Sequence, residues 1–323
     1  MQKKNKTLLE IVTGSILTLS SIYAVNQLLF YLASRKEQLY DSHGTYYQHN
    51  QGKIYYTKSG NGTPLLLIHD LNSCSSTYEW HEVIKHFSKK HTVYAIDLLG
   101  CGKSDKPRIT YTSYLYVQVL TDFIQEVICD TPDVIVTGNA VPHVMMVERM
   151  HPGTFSHMIF CNPLDFEDAG VLPNQIDTYR KHILETPILG TLYYNICTSR
   201  SAIFKRFRMD YLANGSKCLL TYIRHYHEAA HLKGSNSKFL FASQRCHYLG
   251  CHVADAYQDI HTPTCVILGE AMEYPAEFTD SSVFLSSDTE VAIIPDSRYL
   301  PQVEAPEVFV NICETYLAKN TLD

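Results

Sequence analysis

A chain of 323 residues with 45% hydrophobic and 19% charged residues can form one large α/β domain with an insertion, or two domains. Its net charge of −6 and the lack of a basic stripe argue against a nucleic-acid partner. The ten cysteines are scattered, several of them inside apolar runs, which is typical of buried reduced thiols rather than of a disulfide framework.

The N-terminal segment is predicted to anchor the chain in a membrane. Three lysines precede a mainly apolar run over 7–33, and two basic residues follow it. The run is long enough to span a bilayer, which takes about 20 residues, and it lacks the small-residue cleavage site of a signal peptide. Polar residues inside it (Glu10, Asn26 and Gln27) support an alternative, an amphipathic or buried helix that packs on the domain. Basic residues at both ends leave the side of the membrane undetermined.

Short apolar runs then alternate with helical patterns. The predicted strands are 53–57, 64–69, 91–96, 134–136 and 156–161, and the predicted helices between them are 77–88, 114–129 and 141–150. This alternation predicts a mostly parallel, doubly wound α/β sheet with helices on both faces.

A second pattern, helical and rich in Tyr, His and Arg, covers 164–260, with a strand predicted only at 239–243. Strands at 264–268 and 291–295 and a helix at 306–318 then resume the alternation. A helical insertion at this place predicts a cap over the carboxyl ends of the strands, where α/β proteins bind ligands. We therefore predict three parts: an anchor at 1–40, a core at 41–163 and 261–323, and a cap at 164–260.

A strand, a sharp turn and a helix meet at 133–143. The strand ends at Gly138, and the helix begins near Val141 with Pro142 in its first turn, where a missing N–H costs little. This is the layout of a nucleophile elbow, G-x-S-x-G, which holds a serine in a strained turn. Here Ala140 stands at the serine position and Pro142 at that of the second glycine.

This layout and several further motifs resemble the α/β-hydrolase superfamily, in the group of esterase-, lipase-, haloperoxidase- and epoxide-hydrolase-like proteins. The motifs are LLLIH at 65–69 with Trp80 behind it, DLLGCGKSDKP at 97–107, GNA at 138–140, NP at 162–163 and LPQVEAPE at 300–307. The resemblance covers roughly 52–318 and implies the α/β-hydrolase fold, whereas a function has to be argued from the site.

The resemblance implies a catalytic triad, and all three of its positions are changed. Ala140 replaces the nucleophile, Met272 replaces the acid after the seventh strand, and Tyr299 replaces the histidine of the family's Gly-His-Leu-Pro motif. A tyrosine, with an ordinary pKa of about 10, is a poor general base near neutral pH.

Four other residues are possible substitutes. Glu273 and Asp165 could supply the carboxylate, and Cys74 lies in the loop beside the expected oxyanion hole. His143, one turn into the helix, could act as a base if it points at the pocket. The alternative is a partly buried histidine that fills the space left by the missing glycine.

The expected oxyanion donors are the backbone N–H groups of Leu71 and Val141. The family's His-Gly pair reads His69-Asp70 here, and a carboxylate at this place would oppose the binding of an oxyanion. The residues predicted to line the pocket are His69, Asp70, Ala140 and Tyr299.

A separate motif at 227–231, His-Glu-Ala-Ala-His, matches H-E-x-x-H. Two histidines four residues apart on a helix share one face, so His227 and His231 could bind zinc. Five residues match easily in a chain with 16 histidines, and no obvious third ligand follows. The pair is a weak candidate, and neither a metal nor a cofactor is predicted.

Two functions are compatible with these residues. One is a catalytically inactive, membrane-associated protein that binds a small apolar ligand, a lipid or a protein partner. The other is a hydrolase of ester- or lipid-like substrates that uses a non-standard nucleophile. Three changed positions at three separate motifs favour the first, because losing one triad member costs orders of magnitude in rate.

Overall fold

The computed structural model describes residues 2–35, 39, 44–163, 166–214, 219–253, 259–272 and 289–320. Eight strands form one sheet in the order β1-β2-β4-β3-β5-β6-β7-β8. The strands are β1 (Gly44–His49), β2 (Gly52–Ser59), β3 (Thr63–Ile68), β4 (His91–Ile96), β5 (Asp133–Thr137), β6 (Met158–Cys161), β7 (Thr264–Gly269) and β8 (Thr289–Ile294).

The sheet is antiparallel only at one end. Strand β2 pairs antiparallel with β1 and with β4, and every later pair is parallel. The register aligns Ile68 of β3 with Ile96 of β4 on one side and with Val136 of β5 on the other, so these strands end at the same edge. A mostly parallel sheet with helices confirms the predicted fold class.

Strand β3 shows why the central strands read as unbroken apolar runs. Leu66 and Ile68 belong to the core cluster that includes residues of the helices after β4 and β5, whereas Leu65 and Leu67 pack in the cluster around Trp80. Successive side chains point to opposite faces of a strand, and here both faces are covered. The four buried positions of the strand, 65–68, must therefore all be apolar.

The helices of the core region flank this sheet. They are a 3₁₀ turn (Thr77–Trp80), α2 (Ile84–Phe87), α3 (Ser113–Phe123), α4 (Val141–Met150), α11 (Pro301–Glu304) and α12 (Pro306–Asn320). The single helix predicted at 77–88 is thus a 3₁₀ turn followed by a separate short helix. The helix predicted at 114–129 is α3, which continues as a π-helical turn over Ile124–Ile128.

Helices make up most of the described chain between β6 and β7. We call this part, residues 166–253, the cap. Its helices are α5 (Phe166–Gly170), α6 (Gln175–Leu184), α7 (Leu189–Cys197), α8 (Arg200–Arg206), α9 (Leu219–His231) and α10 (Ser237–Arg245). The strand predicted at 239–243 was wrong, because these residues lie within α10. A short apolar run without flanking Gly or Pro does not distinguish a strand from a buried helix.

The N-terminal helix α1 (Gln2–Ser34) has 33 residues and is about 50 Å long. Glu10–Ser34 is long and apolar enough to cross a membrane. Only 17% of its most apolar 18-residue stretch is buried, whereas the core helix of a soluble protein is mostly buried. Asn26, Phe30 and Ala33 form a buried stripe on one side of the helix, which packs against α7 and α9. The described part of α1 is therefore an apolar helix that contacts the cap near its C-terminal end.

Candidate active site at the carboxyl edge of the sheet

The turn after β5 has the connectivity of a nucleophile elbow without its strain. Gly138 adopts a φ of +54°, a left-handed conformation that glycine accepts at little cost. Ala140 has φ −84° and ψ −18°, an ordinary helical conformation, in a 3₁₀ turn that leads into α4. The strained backbone that exposes a serine in an active elbow is thus absent at Ala140.

The amide of Val141 is already used inside this turn. Its N–H donates to the carbonyl oxygen of Gly138. The N–H that we predicted to be an oxyanion donor is thus directed back into its own turn by the helical elbow. The carbonyl of Leu71, the residue of the other expected donor, accepts a hydrogen bond from Gln244 Nε2 at 3.0 Å.

Asp70, which follows β3, lies at the centre of the site. Its Oδ1 accepts hydrogen bonds from the Tyr299 hydroxyl at 2.9 Å, from the Asn139 backbone N–H at 2.9 Å and from Asn139 Nδ2 at 2.8 Å. Its Oδ2 accepts from Asn72 Nδ2 at 2.6 Å. The polar groups that surround the elbow are thus directed at a carboxylate of the protein itself.

Tyr299 lies directly on the elbow. A Cβ atom on Gly138 would overlap the Tyr299 hydroxyl, so only glycine fits beneath this ring. Burial, and next the charge of Asp70, raise the pKa of Tyr299 well above its usual value. The hydroxyl therefore stays protonated and acts as a donor, which excludes the role of general base that a histidine has at this position.

Two further contacts hold Tyr299 in place. The ring of Tyr211, from the cap, stacks on it with ring centroids 5.1 Å apart. The side chain of Asn162, after β6, donates to the carbonyls of Arg298 and Tyr299 at 2.8 Å and 3.0 Å and accepts from the Gly269 N–H. The loop that presents Tyr299 is thereby tied to the carboxyl ends of β6 and β7.

The structure brings two of the three changed triad positions into one apolar cluster. Met272 packs against the cluster that contains Tyr211 and Tyr299. Ala140 is buried in the larger core cluster instead, two residues after the glycine on which Tyr299 lies. The candidate substitutes Asp165 and Glu273 lie outside the described residues.

The buried glutamate Glu79 was not identified from the sequence. It is fully buried and accepts hydrogen bonds from the Asp70 N–H at 3.2 Å and from Gln302 Nε2 at 2.9 Å. The Tyr226 hydroxyl donates to it at 3.3 Å. Burial, and next the charge of Asp70, raise the pKa of Glu79 to about 8. The sequence signal was weak: one acidic residue just before the tryptophan of an apolar helical pattern.

His69 has a structural role at the end of β3. The Leu98 N–H donates to its Nε2 at 3.1 Å, so its proton is on Nδ1, which donates to the Asp70 carbonyl at 2.7 Å. Burial lowers the pKa of His69, which keeps the ring neutral. The ring joins the ends of β3 and β4, and both of its nitrogens are used in doing so.

The other candidate substitutes have unfavourable surroundings for catalysis. Burial raises the pKa of the Cys74 thiol, and the nearby Arg206 opposes this only in part, so little reactive thiolate forms.

His143, the candidate base, is fully rather than partly buried. Its ring packs edge-on against that of Tyr116, with ring centroids 5.4 Å apart. Burial lowers the pKa of His143 to about 4, and interactions with the backbone of Asn139 and Ala140 oppose this only in part.

The two histidines of the H-E-x-x-H motif lie side by side on α9. Their ring centroids are 4.4 Å apart, and His231 Nδ1 donates to the His227 carbonyl at 2.6 Å. Burial lowers the pKa of His227 to about 3 and that of His231 to about 4. Within the part of the chain that the structure describes, no group of three metal-binding side chains includes this pair.

Comparison with known proteins agrees with the sheet. A family described as the α/β hydrolase fold matches residues 63–136. A 2-hydroxy-6-oxo-6-(2'-aminophenyl)hexa-2,4-dienoic acid hydrolase of Metapseudomonas resinovorans is 36% identical over 87 residues, which are 27% of this chain and 30% of that protein. Both matches are partial, and the family match ends at Val136, before all three changed triad positions.

Solved structures cover more of the chain at lower identity. A serine hydrolase involved in carbazole degradation has a TM-score of 0.69 and 18% identity, covering 85% of this chain and 98% of its own. A bacterial membrane phospholipase A has a TM-score of 0.67 and 17% identity, covering 99% of each chain. With the strand order and the family match, these similarities show that the chain has the α/β-hydrolase fold.

Proposed function

We propose that this protein is a membrane-anchored, catalytically inactive member of the superfamily that binds an apolar or lipid-like partner. The observation that carries the proposal is the hydrogen bond from the Tyr299 hydroxyl to Asp70 across Gly138 and Asn139. Acyl transfer requires a nucleophile, a base and free donors for the oxyanion. Here the nucleophile position holds a methyl group, the base position holds a protonated phenol, and the Asn139 amide is occupied by a carboxylate.

Membrane anchoring is supported by α1. Its apolar stretch has the length of a single span, and most of its described side chains are exposed. The membrane phospholipase A that resembles this chain covers it almost completely, including the region of α1.

The partner class follows from the character of the cap. Aromatic side chains of α9 and of the turn after α8 pack over Tyr299 as one cluster. They are Phe207, Tyr211, Tyr222 and Tyr226. An apolar cap above the carboxyl edge of the sheet suits an apolar or lipid-like molecule, or an apolar protein surface, better than a charged one.

The proposal is tested with the full-length protein in detergent or nanodiscs. A fluorophosphonate probe, a thiol-directed acyl probe and short p-nitrophenyl esters are each applied, with protein-free nanodiscs as the blank. We expect no stoichiometric labelling and no turnover above the blank. Ala140→Ser is also expected to remain inactive, because the Val141 N–H still bonds within its turn and Tyr299 accepts no proton. Stoichiometric labelling of one residue whose substitution abolishes turnover would overturn the proposal.

The second candidate function is an active hydrolase with a non-standard nucleophile. It is favoured by the hydrolase that matches part of the chain, and by Cys74, whose thiol lies close to the guanidinium of Arg206. This candidate predicts that the thiol-directed probe labels Cys74 and that Cys74→Ala loses both the label and ester turnover. Cys129→Ala, at an exposed cysteine, is the matched control for non-specific labelling.

A further inference from the structure

Two cap helices present apolar side chains to the outside of the molecule. On α6 these are Ile176, Tyr179 and Ile183, and on α7 they are Leu189, Tyr193 and Ile196. Their spacing of three or four residues places each set on one side of its helix. The six side chains are between 44% and 71% exposed, and α6 packs against α7, so the two stripes are neighbours.

We call these six residues (Ile176, Tyr179, Ile183, Leu189, Tyr193 and Ile196) the cap face. Soluble monomers rarely leave such adjoining apolar stripes uncovered.

The cap face adjoins the N-terminal helix. Asn26 of α1 accepts a hydrogen bond from Asn195 Nδ2 at 2.8 Å and donates to the Ile188 carbonyl at 3.2 Å, and both partners are at or within α7. The ring of Phe30 lies 5.2 Å from that of His231 on α9. The helix before this contact, 7–25, is about 28 Å long, which is close to the hydrocarbon thickness of a bilayer. On the proposed anchoring, Asn26 lies where the helix passes from lipid to protein.

The charge of the cap differs in sign from that of the rest of the chain. Residues 166–253 contain eleven Lys and Arg but six Asp and Glu, so this segment is positive while the whole chain carries −6. Exposed cations lie on the cap helices and on the turn after α8, and they include Arg180, Arg200, Lys205, Arg208, Arg224 and Arg245. Cations attract anionic lipid headgroups, and the rings of Tyr179 and Tyr193 suit the membrane interface.

We propose that the cap face lies on the surface of an anionic bilayer, beside the point where α1 enters it. This inference rests on the proposed membrane anchoring. A second copy of the chain is the other possible occupant, but a symmetric dimer through this face would bring two positive caps together. Continuity with the apolar surface of α1 favours lipid, because the anchor already holds α7 close to the bilayer.

Tryptophan fluorescence offers a direct test, because the chain has a single tryptophan, Trp80, which is fully buried. The full-length protein is reconstituted into vesicles of phosphatidylcholine and phosphatidylglycerol that carry bromine near the headgroup end of the acyl chains. Ile183→Trp and Ile196→Trp report on the cap face. Val308→Trp, on the exposed side of α12, is the matched control, and Tyr23→Trp reports on the anchor.

We expect bromine to quench both cap-face reporters at least about twofold more than Val308→Trp, as for side chains seated at the acyl boundary. This difference should shrink in purely zwitterionic lipid or high salt, while Tyr23→Trp stays quenched. If Tyr23→Trp is quenched but the cap-face reporters match Val308→Trp, the cap inference is overturned and the anchor is retained. If Tyr23→Trp is also unquenched, the anchoring itself is wrong. Cap-face emission that is blue-shifted, unquenched and dependent on protein concentration assigns the face to a second copy and likewise overturns the inference.

Discussion

Replacing Glu79 by glutamine should remove a specific pH dependence of folding. Glu79 is buried beneath the site, where burial and the charge of Asp70 raise its pKa from an ordinary value of 4.5 to about 8. The folded protein therefore holds a proton on Glu79 over a pH range in which the unfolded chain has lost it. Stability from this group is fully present below about pH 4.5 and is lost as the pH rises to about 8.

The size of the effect follows from the two pKa values. Between pH 6 and pH 9 the wild-type protein should lose about 2–3 kcal/mol of unfolding free energy through Glu79. Glu79→Gln keeps the shape and an acceptor for Gln302 Nε2 but cannot ionise, so this part of the pH dependence should vanish. The difference between wild type and variant, rather than either curve alone, isolates the contribution of this residue.

The assay is urea unfolding of the full-length protein in mild detergent at pH 6 and pH 9, followed by the emission of Trp80. Trp80 is adjacent to Glu79 and fully buried, so its fluorescence reports on the packing of this region. A control variant, Glu82→Gln, changes a partly exposed carboxyl group three residues along the chain and should keep the wild-type pH dependence. Equal pH dependence in wild type and Glu79→Gln would refute the assignment of a buried, protonated Glu79.

Three further outcomes are expected. Tyr299→Phe removes a hydrogen-bond donor to the Asp70 carboxylate and should lower the free energy of unfolding in urea by about 1.5–3 kcal/mol. A decrease below about 0.5 kcal/mol would contradict this hydrogen bond. Asn26→Leu removes both hydrogen bonds to the cap and should speed amide hydrogen exchange in α7, whereas Gln27→Leu, on the exposed side of α1, should not. Lys106 is buried with its pKa lowered to about 8, so the wild type should gain about 1 kcal/mol between pH 7 and pH 9. Lys106→Met should lose this gain in the same unfolding assay, and an unchanged gain would assign it to another group.

The architecture of the sheet could be predicted from local patterns because the inner parallel strands are buried on both faces. Strands β3, β4, β5 and β7 each contain at least three consecutive apolar residues, and helical patterns separate most of them. Burial on two faces leaves such a signal in a few consecutive residues. Helix α10 lacks this signal, because a short apolar run is compatible with either structure, and there the sequence-based prediction was wrong.

The sequence alone predicted the α/β-hydrolase fold and placed Ala140, Met272 and Tyr299 where the resemblance expects a serine, an acid and a histidine, since each is a statement about one residue in one motif. Only the tertiary structure decided what stands in their place. Asp70 and Tyr299 are 229 residues apart in the chain, and Glu79 meets Gln302 across 223. Such contacts leave no periodicity or spacing in the sequence. They arise because parallel strands bring loops distant in sequence to one edge of the sheet, where the cap closes over them.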